Sequence, residues 1–148
     1  MLDESLVLEI KKAENLHGHL GPFLVLGVKM ANLAKKRLNI DRNNHRDMQV
    51  FVELPLTTPF SCILDGIQAA TQCTIGNRRL RVKNFNGEIT ALFKIKGQNK
   101  TVKVRLNPQI RENIWKQLSE GVSGEKIAWE VAATPENQLF VVEKDKHS

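Results

Sequence analysis

The sequence predicts an α+β domain in which a five-stranded mixed β-sheet is flanked by helices. Hydrophobic residues recur at helical spacing through the first 40 positions, and between Leu80 and Leu106 they alternate with charged residues, as in half-buried strands. Helix-start signals return from Asn107 onward. Because no repeat or linker divides the 148 residues, we expect residues 1–148 to fold as a single domain around one core.

The first half of the chain contains signals for three helices and one strand. Asp3 or Ser5 is a candidate cap for an amphipathic first helix, and Pro22 suits the first position of a second helix. Thr58 and Pro59 form a cap and first-turn pair for a third helix. Together with the alternating hydrophobic pattern between the last two helices, these signals predict helices over 3–16, 22–39 and 59–71 and a strand over 48–55.

The second half is predicted to begin with an antiparallel meander of three strands. The period of two starts at Leu80, and Asn86-Gly87 is a strong signal for a hairpin turn between the first two of these strands. Gly97-Gln98-Asn99 makes the second turn slightly longer. Asn107 and Ser123 then cap two further helices. The predicted segments are three strands between 80 and 106, helices over 107–119 and 123–133, and a final strand over 139–142.

Composition and charge exclude several classes of protein. The opening residues 1–5 are acidic where a secretory signal is basic, and no apolar run approaches the roughly 20 residues of a transmembrane helix. We therefore expect a cytoplasmic protein without membrane contact. The two cysteines are eleven positions apart and form no CxxC pair, which excludes a disulfide scaffold and a four-cysteine zinc finger.

A concentration of basic residues is the main rival signal for function. The net charge of +6 is unevenly spread, since the nine Lys and Arg residues between positions 78 and 105 are accompanied only by Glu88. Most of them should project from one sheet face, where an acidic protein partner or nucleic acid could bind. Because Phe85 and Phe93 belong to the apolar pattern and the chain has no tyrosine, we predict no stacking platform for bases. A solvated face is the default interpretation, an acidic partner is second, and nucleic acid is the least favoured.

Three side chains suited to metal binding lie at predicted helix ends. His17 and His19 flank Gly18 in a glycine-rich break, where side chains two positions apart can share a side and bind one ion. Cys62 falls in the first turn of the third helix, where the helix dipole should lower the pKa of the thiol. Asp65 lies one turn further on, facing the same way. Three roles are open for it: a further metal ligand, an orienting partner of a histidine, or a general base. The alternatives are exposed or capping histidines and a small buried cysteine.

Cys73 is a secondary candidate for the same site. On a continuous helix it would lie roughly 16 Å from Cys62, too far to share an ion unless the chain folds back or a second protomer supplies it. The segment from Thr71 to Gly76 offers hydroxyls, an amide and a glycine turn before Arg78 and Arg79. Such a segment suits an anionic ligand, or it is simply the exit of a helix.

Two blocks of this sequence resemble the FmdE family, which is named after a component of formylmethanofuran dehydrogenase. The first block is His17-Gly18-His19-Leu20-Gly21-Pro22, and the second is Cys62-Ile63-Leu64-Asp65-Gly66-Ile67-Gln68 followed by Thr71-x-Cys73-Thr74-x-Gly76. The resemblance covers the whole chain as the N-terminal core domain of the family. It implies a thioredoxin-like α+β fold with a five-stranded mixed sheet.

The chain departs from the family pattern in two places. Members often have glycine at the position of Gln72, and a glycine- and lysine-rich stretch where this chain has Asn77-Arg78-Arg79, so the ligand loop is expected to be altered. Many members also carry a C-terminal treble-clef zinc finger. We expect that domain to be missing here, because no cysteine follows Cys73.

The resemblance also implies a site in the core that is able to hold a divalent metal, zinc first among the candidates. Residue by residue, it assigns His17, His19 and Cys62 as metal ligands, and Cys62 and Asp65 as catalytic residues. It further implies supporting or ligand-contacting positions, taken together as a cofactor-binding set: Gln68, Thr71, Cys73, Thr74 and Gly76.

These observations make a metal-binding FmdE-like protein the leading hypothesis. It would act as an accessory protein or small enzyme linked to molybdenum or tungsten formylmethanofuran dehydrogenase, in anaerobic one-carbon or molybdopterin metabolism. We expect a homodimer with a small-molecule or pterin-type ligand. Two alternatives stay open: a non-catalytic binding module that uses the basic sheet face, and thiol redox chemistry at Cys62, which has no CxxC partner. The sequence leaves open whether the protein is an enzyme.

Overall fold

A computed structural model describes residues 2–144, and this part of the chain contains six α-helices, a short 3-10 helix (His45–Asp47) and one five-stranded sheet. The helices are α1 (Glu4–His17), α2 (Pro22–Arg37), α3 (Cys62–Thr71), α4 (Pro108–Ser119), α5 (Gly124–Ala133) and the single turn α6 (Glu136–Leu139). The strands are β1 (Met48–Leu54), β2 (Leu80–Asn84), β3 (Thr90–Ile95), β4 (Thr101–Leu106) and β5 (Phe140–Lys144). The predicted α+β class, with a mixed five-stranded sheet flanked by helices, is confirmed.

The strand order β2-β1-β3-β4-β5 corrects one prediction about the meander. β1 pairs with β2 in parallel and with β3 antiparallel, so it separates the two strands that Asn86-Gly87 was predicted to join in a hairpin. The segment after β2 instead crosses the end of β1, where the Phe85 backbone N–H donates to the Leu54 carbonyl at 2.9 Å. The hairpin was wrong because β1 gains ladder hydrogen bonds on both edges, which one local turn cannot supply. The β3–β4 hairpin is confirmed.

Helix α2 forms the centre of the core. All residues from Pro22 to Met30 are buried, and the helix packs against α1, α3 and α5. At the contact with α3, a methyl group on Gly27 would overlap the Ile63 carbonyl oxygen, and one on Gly66 would overlap the Leu24 carbonyl oxygen. Glycine at both positions lets the two backbones touch. α3 is thereby held beside the chain segment that leads into α2.

The sheet presents one face to the helices and the other to solvent. Along β1 and β4, buried residues alternate with partly exposed ones, which is the pattern of a sheet covered on one side. The solvent-facing side, which we call the open face, carries most of the basic residues predicted to project together: Arg81, Lys83, Lys94, Lys103 and Arg105.

Most element boundaries lie within two residues of the predictions, and the larger differences are at α3 and near the end of the described residues. α3 begins at Cys62 with Ser61 as its cap, because residues 57–61 form preceding turns in which the Cys62 N–H donates to the Pro59 carbonyl. The turn α6 was not predicted, and the last strand begins at Phe140 instead of Leu139. Among residues 2–144, the helices are too short or too polar to span a bilayer.

Candidate metal centre

The structure brings together the three side chains that the sequence marked as metal ligands. One ligand atom each from His17, His19 and Cys62 lies within 4.8 Å of the other two. The two imidazole rings have centroids 4.5 Å apart and are inclined at 41°. Cys62 is buried and His17 is largely buried, whereas His19 is exposed, so the cluster lies at the surface with one accessible side.

The backbone between α1 and α2 explains how the two histidines meet. His17 is the last residue of α1, and Gly18 ends the helix with φ of +99°, a conformation that favours glycine. The Gly18 N–H donates to the Glu14 carbonyl at 2.7 Å, and the chain then reverses. Because buried Leu20 anchors the loop to the core and Pro22 starts α2, His19 is held beside His17.

Asp65 acts on the cluster through His17. The His17 Nδ1 donates to the Asp65 Oδ2 at 2.7 Å, since a carboxylate can only accept. In the neutral imidazole, Nε2 then carries the free lone pair. This Nε2 is buried and has no hydrogen-bond partner among the described residues, which is costly unless a further group satisfies it. Of the three roles left open for Asp65, the geometry supports the orienting partner of a histidine, here His17.

The protonation of Cys62 differs from the prediction. The position at a helix start suggested a lowered thiol pKa, but burial raises the pKa of Cys62, and the nearby Asp65 carboxylate raises it further. A hydrogen bond to the Cys62 backbone opposes this rise to a smaller extent. The thiol is therefore a poor free nucleophile. A bound cation would favour the thiolate, because a metal-coordinating thiol is deprotonated.

The donor set fits a borderline-soft divalent ion such as zinc. Imidazole and thiolate ligands are typical of zinc, and its bonds of about 2.0–2.3 Å place tetrahedral donors about 3.3–3.8 Å apart. Since the three ligand atoms lie within 4.8 Å of one another, they need to approach by at most about 1.5 Å to satisfy that geometry. The orphaned His17 Nε2, together with the chemistry of its neighbours, shows that these residues suit a metal.

The structure places the predicted supporting residues elsewhere. Cys73 is buried beyond the far end of α3, and its Sγ donates to the Met48 carbonyl at 3.3 Å. Thr71 accepts a hydrogen bond from the Cys73 backbone, and Thr74 exchanges hydrogen bonds with Asn77. As α3 is ten residues long, about 15 Å separates this end from the cluster. Gln68 lies within α3, between the cluster and this end, and Gly76 follows Thr74. The roles assigned to all five residues stay predictions.

An aromatic group precedes α3 that the sequence reasoning did not single out. Phe60 packs edge-on against Phe23 and stacks on Trp115 with centroids 5.5 Å apart, while the Arg111 guanidinium lies 4.6 Å from the Phe60 centroid. Trp115 is 49% exposed. In the sequence, Trp115 could have been noticed because it lies outside the apolar stripe of α4. An aromatic side chain in such a position remains open to a ligand or partner.

Known proteins resemble this chain both in sequence and in structure. The chain is 30% identical over 109 residues to a probable S-adenosyl-L-methionine-binding protein of Archaeoglobus fulgidus, covering 74% of this chain but only 28% of that relative. It also matches the crystal structure of a tungsten formylmethanofuran dehydrogenase FmdE-like protein from Syntrophus aciditrophicus. That match has a TM-score of 0.64 and 21% identity, and covers 93% of this chain and 70% of the other, which supports the fold.

A family model agrees with the resemblance seen in the sequence. The model described as "FmdE, Molybdenum formylmethanofuran dehydrogenase operon" matches residues 16–141. This range includes both histidines, Cys62 and all five strands except the end of β5. The chain therefore belongs to the FmdE family.

Proposed function

We propose that this protein binds one divalent metal ion, zinc in the first instance, through His17, His19 and Cys62. In this proposal it serves as an accessory protein or small enzyme linked to formylmethanofuran dehydrogenase, in one-carbon or molybdopterin metabolism. The family supports the metabolic link. The observation that carries the metal is the buried His17 Nε2, which lacks a partner among the described residues while Asp65 occupies the other ring nitrogen.

Three protein ligands would favour a reactive site over a structural one. Structural zinc sites use four protein ligands, whereas catalytic sites use three and keep one position for water or substrate. A divalent ion held here would polarise an oxygen atom bound at that position. Asp65 would hold the proton on His17 Nδ1 and keep the ring oriented, and exposed His19 would border the accessible side.

A planar small molecule, such as a pterin-type ligand, is the proposed occupant of the accessible side. The half-exposed Trp115, stacked on Phe60 two positions before Cys62 in sequence, supports this because aromatic rings bind flat ligands by stacking. A homodimer is the proposed assembly. Two large apolar side chains, Leu56 at 51% and Trp115 at 49%, are exposed to solvent and support a covering partner.

Metal analysis tests the proposal directly. Tag-free protein loaded with zinc and dialysed should retain about one equivalent, and the variants His17→Ala, His19→Ala and Cys62→Ala should lose it. The chain offers matched controls in His45, which bonds a backbone carbonyl, and Cys73, which is buried outside the cluster. His45→Ala and Cys73→Ala should keep the metal.

Two results would contradict the assignment. One is zinc retention that is unchanged in both His17→Ala and Cys62→Ala, and the other is equal loss in the control variants. Thermal unfolding of each variant without metal separates loss of the site from loss of the fold. The dimer is tested separately by light scattering, where a monomeric mass at micromolar concentration would refute it.

A further inference from the structure

The open face of the sheet contains a shallow depression that the metal centre does not use. It has a volume of about 370 Å³, within the range of small-molecule sites. Phe51 and Leu92, neighbours across β1 and β3, are partly exposed and form its apolar floor. Arg78, Arg81 and Lys94 are exposed and form its rim. An aromatic ring among cations is the feature that the sequence analysis did not predict.

The positive charge of the open face is concentrated at this depression. At the opposite end of the face, Lys83 lies 3.9 Å from Glu53, and Arg105 lies 3.1 Å from Glu88. Arg78, Arg81 and Lys94 form no ion pair with any carboxylate in the described part of the chain. Three uncompensated cations therefore surround the apolar floor and attract an anion.

The rim is partly fixed in position by Arg79. The Arg79 guanidinium donates to the carbonyl oxygens of His45 and Gln72, each at 3.0 Å, and is therefore engaged with the backbone. Its neighbour Arg78 has φ of +65°, a conformation uncommon for residues other than glycine. This local geometry leaves the Arg78 side chain exposed at the depression while Arg79 ties down the loop.

We infer that this depression binds a nucleotide unit, with its base on Phe51 and its phosphates between Arg78, Arg81 and Lys94. The aromatic and aliphatic floor favours a ligand with a flat ring, which can stack on Phe51. The unpaired cations of the rim favour a ligand with phosphate groups. The unit can come from a free mononucleotide or from a single strand of nucleic acid. The two sources share the same chemistry and differ in the number of contacts.

A second copy of this chain fits the depression poorly. If two identical faces met, Arg81 and Lys94 of one copy would lie near the cations of the other copy, and these positive charges repel each other. An acidic protein segment satisfies the charge but supplies no flat ring for Phe51. Both occupants are outcomes that the experiment below distinguishes.

Calorimetric titration with defined probes tests the inference. The probes are ADP, inorganic pyrophosphate, a twelve-residue oligo(dT) and a poly-glutamate peptide, each in EDTA so that no metal at the cluster bridges the phosphates. The variants are Phe51→Leu, which keeps apolar bulk but removes the ring, and Lys94→Gln. Lys83→Gln is the matched control, because Lys83 lies on the same face but is paired with Glu53.

ADP or oligo(dT) should bind the wild-type protein with saturation. Binding should weaken at least about fivefold in Phe51→Leu, from lost stacking, and about tenfold in Lys94→Gln, from lost charged hydrogen bonds, with less than about twofold change in Lys83→Gln. Tighter binding of ADP identifies a free nucleotide as the ligand, and tighter binding of oligo(dT) identifies a strand.

Four results would overturn the inference. They are no saturable binding of either nucleotide probe, pyrophosphate binding as tight as ADP and unaffected by Phe51→Leu, preferential binding of poly-glutamate, and a dimer in sedimentation that Phe51→Leu dissociates. Thermal unfolding confirms that the exposed-site variants remain folded. Because the titrations exclude metal, failure here leaves the proposed metal function untouched.

Discussion

Replacing Asp65 by Asn removes a negative charge from the candidate metal centre while keeping the size of the side chain. In the wild-type protein the Asp65 Oδ2 accepts from His17 Nδ1 at 2.7 Å. The amide oxygen of Asn can still accept this hydrogen bond, but it no longer raises the basicity of the imidazole. Loss of such an outer partner lowers metal affinity about 10- to 100-fold, or about 1.4–2.7 kcal/mol at 1.36 kcal/mol per tenfold change.

The exposure of the pair selects the lower end of that range. His17 is 14% exposed but Asp65 is 40% exposed, so water screens the carboxylate. We therefore expect Asp65→Asn to bind zinc about tenfold more weakly than wild type. Competition with a chromogenic zinc chelator at fixed pH measures this difference directly.

A control variant distinguishes this local effect from a change in overall charge. Glu136→Gln removes the same charge from a carboxylate paired with Lys36, on an element outside the cluster. Its zinc affinity should equal that of wild type within about twofold. If Asp65→Asn bound zinc as tightly as wild type, or if Glu136→Gln lost as much affinity, the assigned role of Asp65 would be refuted.

Three further predictions concern stability. Gly66→Ala should lower the free energy of unfolding in urea by about 3 kcal/mol, because the methyl group overlaps the Leu24 carbonyl. Gly76→Ala should change it by less than about 0.5 kcal/mol, because a methyl group there would only touch the Thr74 hydroxyl at an ordinary contact distance of 3.8 Å. Lys29→Met should cost about 1–3 kcal/mol, because buried Lys29 donates to three carbonyls at the end of α5. Burial lowers the pKa of Lys29 from 10.5, so the unfolded chain keeps this proton to higher pH. As pH rises from the lowered pKa of Lys29 towards 10.5, the free energy of unfolding of the wild-type protein should therefore increase. If the free energy of unfolding of Lys29→Met increased by the same amount over this pH range, Lys29 would not be the cause.

Local signals predicted most of the elements, but they misplaced the start of α3, missed the turn α6 and predicted a hairpin that does not form. Pro22, Asn107 and Ser123 mark helix starts in the structure as they do in the sequence, because a cap acts on its own first turn. The Asn86-Gly87 turn failed as a hairpin because insertion of β1 between β2 and β3 depends on pairing between residues about 30 positions apart.

The candidate site was predictable in its residues and less so in its electrostatics. Residue type and position in the helix ends identified His17, His19 and Cys62, which the structure gathers within 4.8 Å. The direction of the Cys62 pKa was missed because burial is a property of the assembled core and outweighs the helix position. The surroundings of Phe51 likewise depend on the strand register, which no local pattern in this sequence specifies.

The backbone contact between α2 and α3 at Gly27 and Gly66 makes folding independent of metal binding. The loop that carries the imidazoles and the helix that carries the thiol are held in place by burial of apolar surface around α2. Binding of a metal ion should thus fix few additional side-chain torsions and cost little conformational entropy. Small zinc domains, in contrast, unfold when they are stripped of metal. Treatment of this protein with a chelator should leave a cooperative melting transition in place.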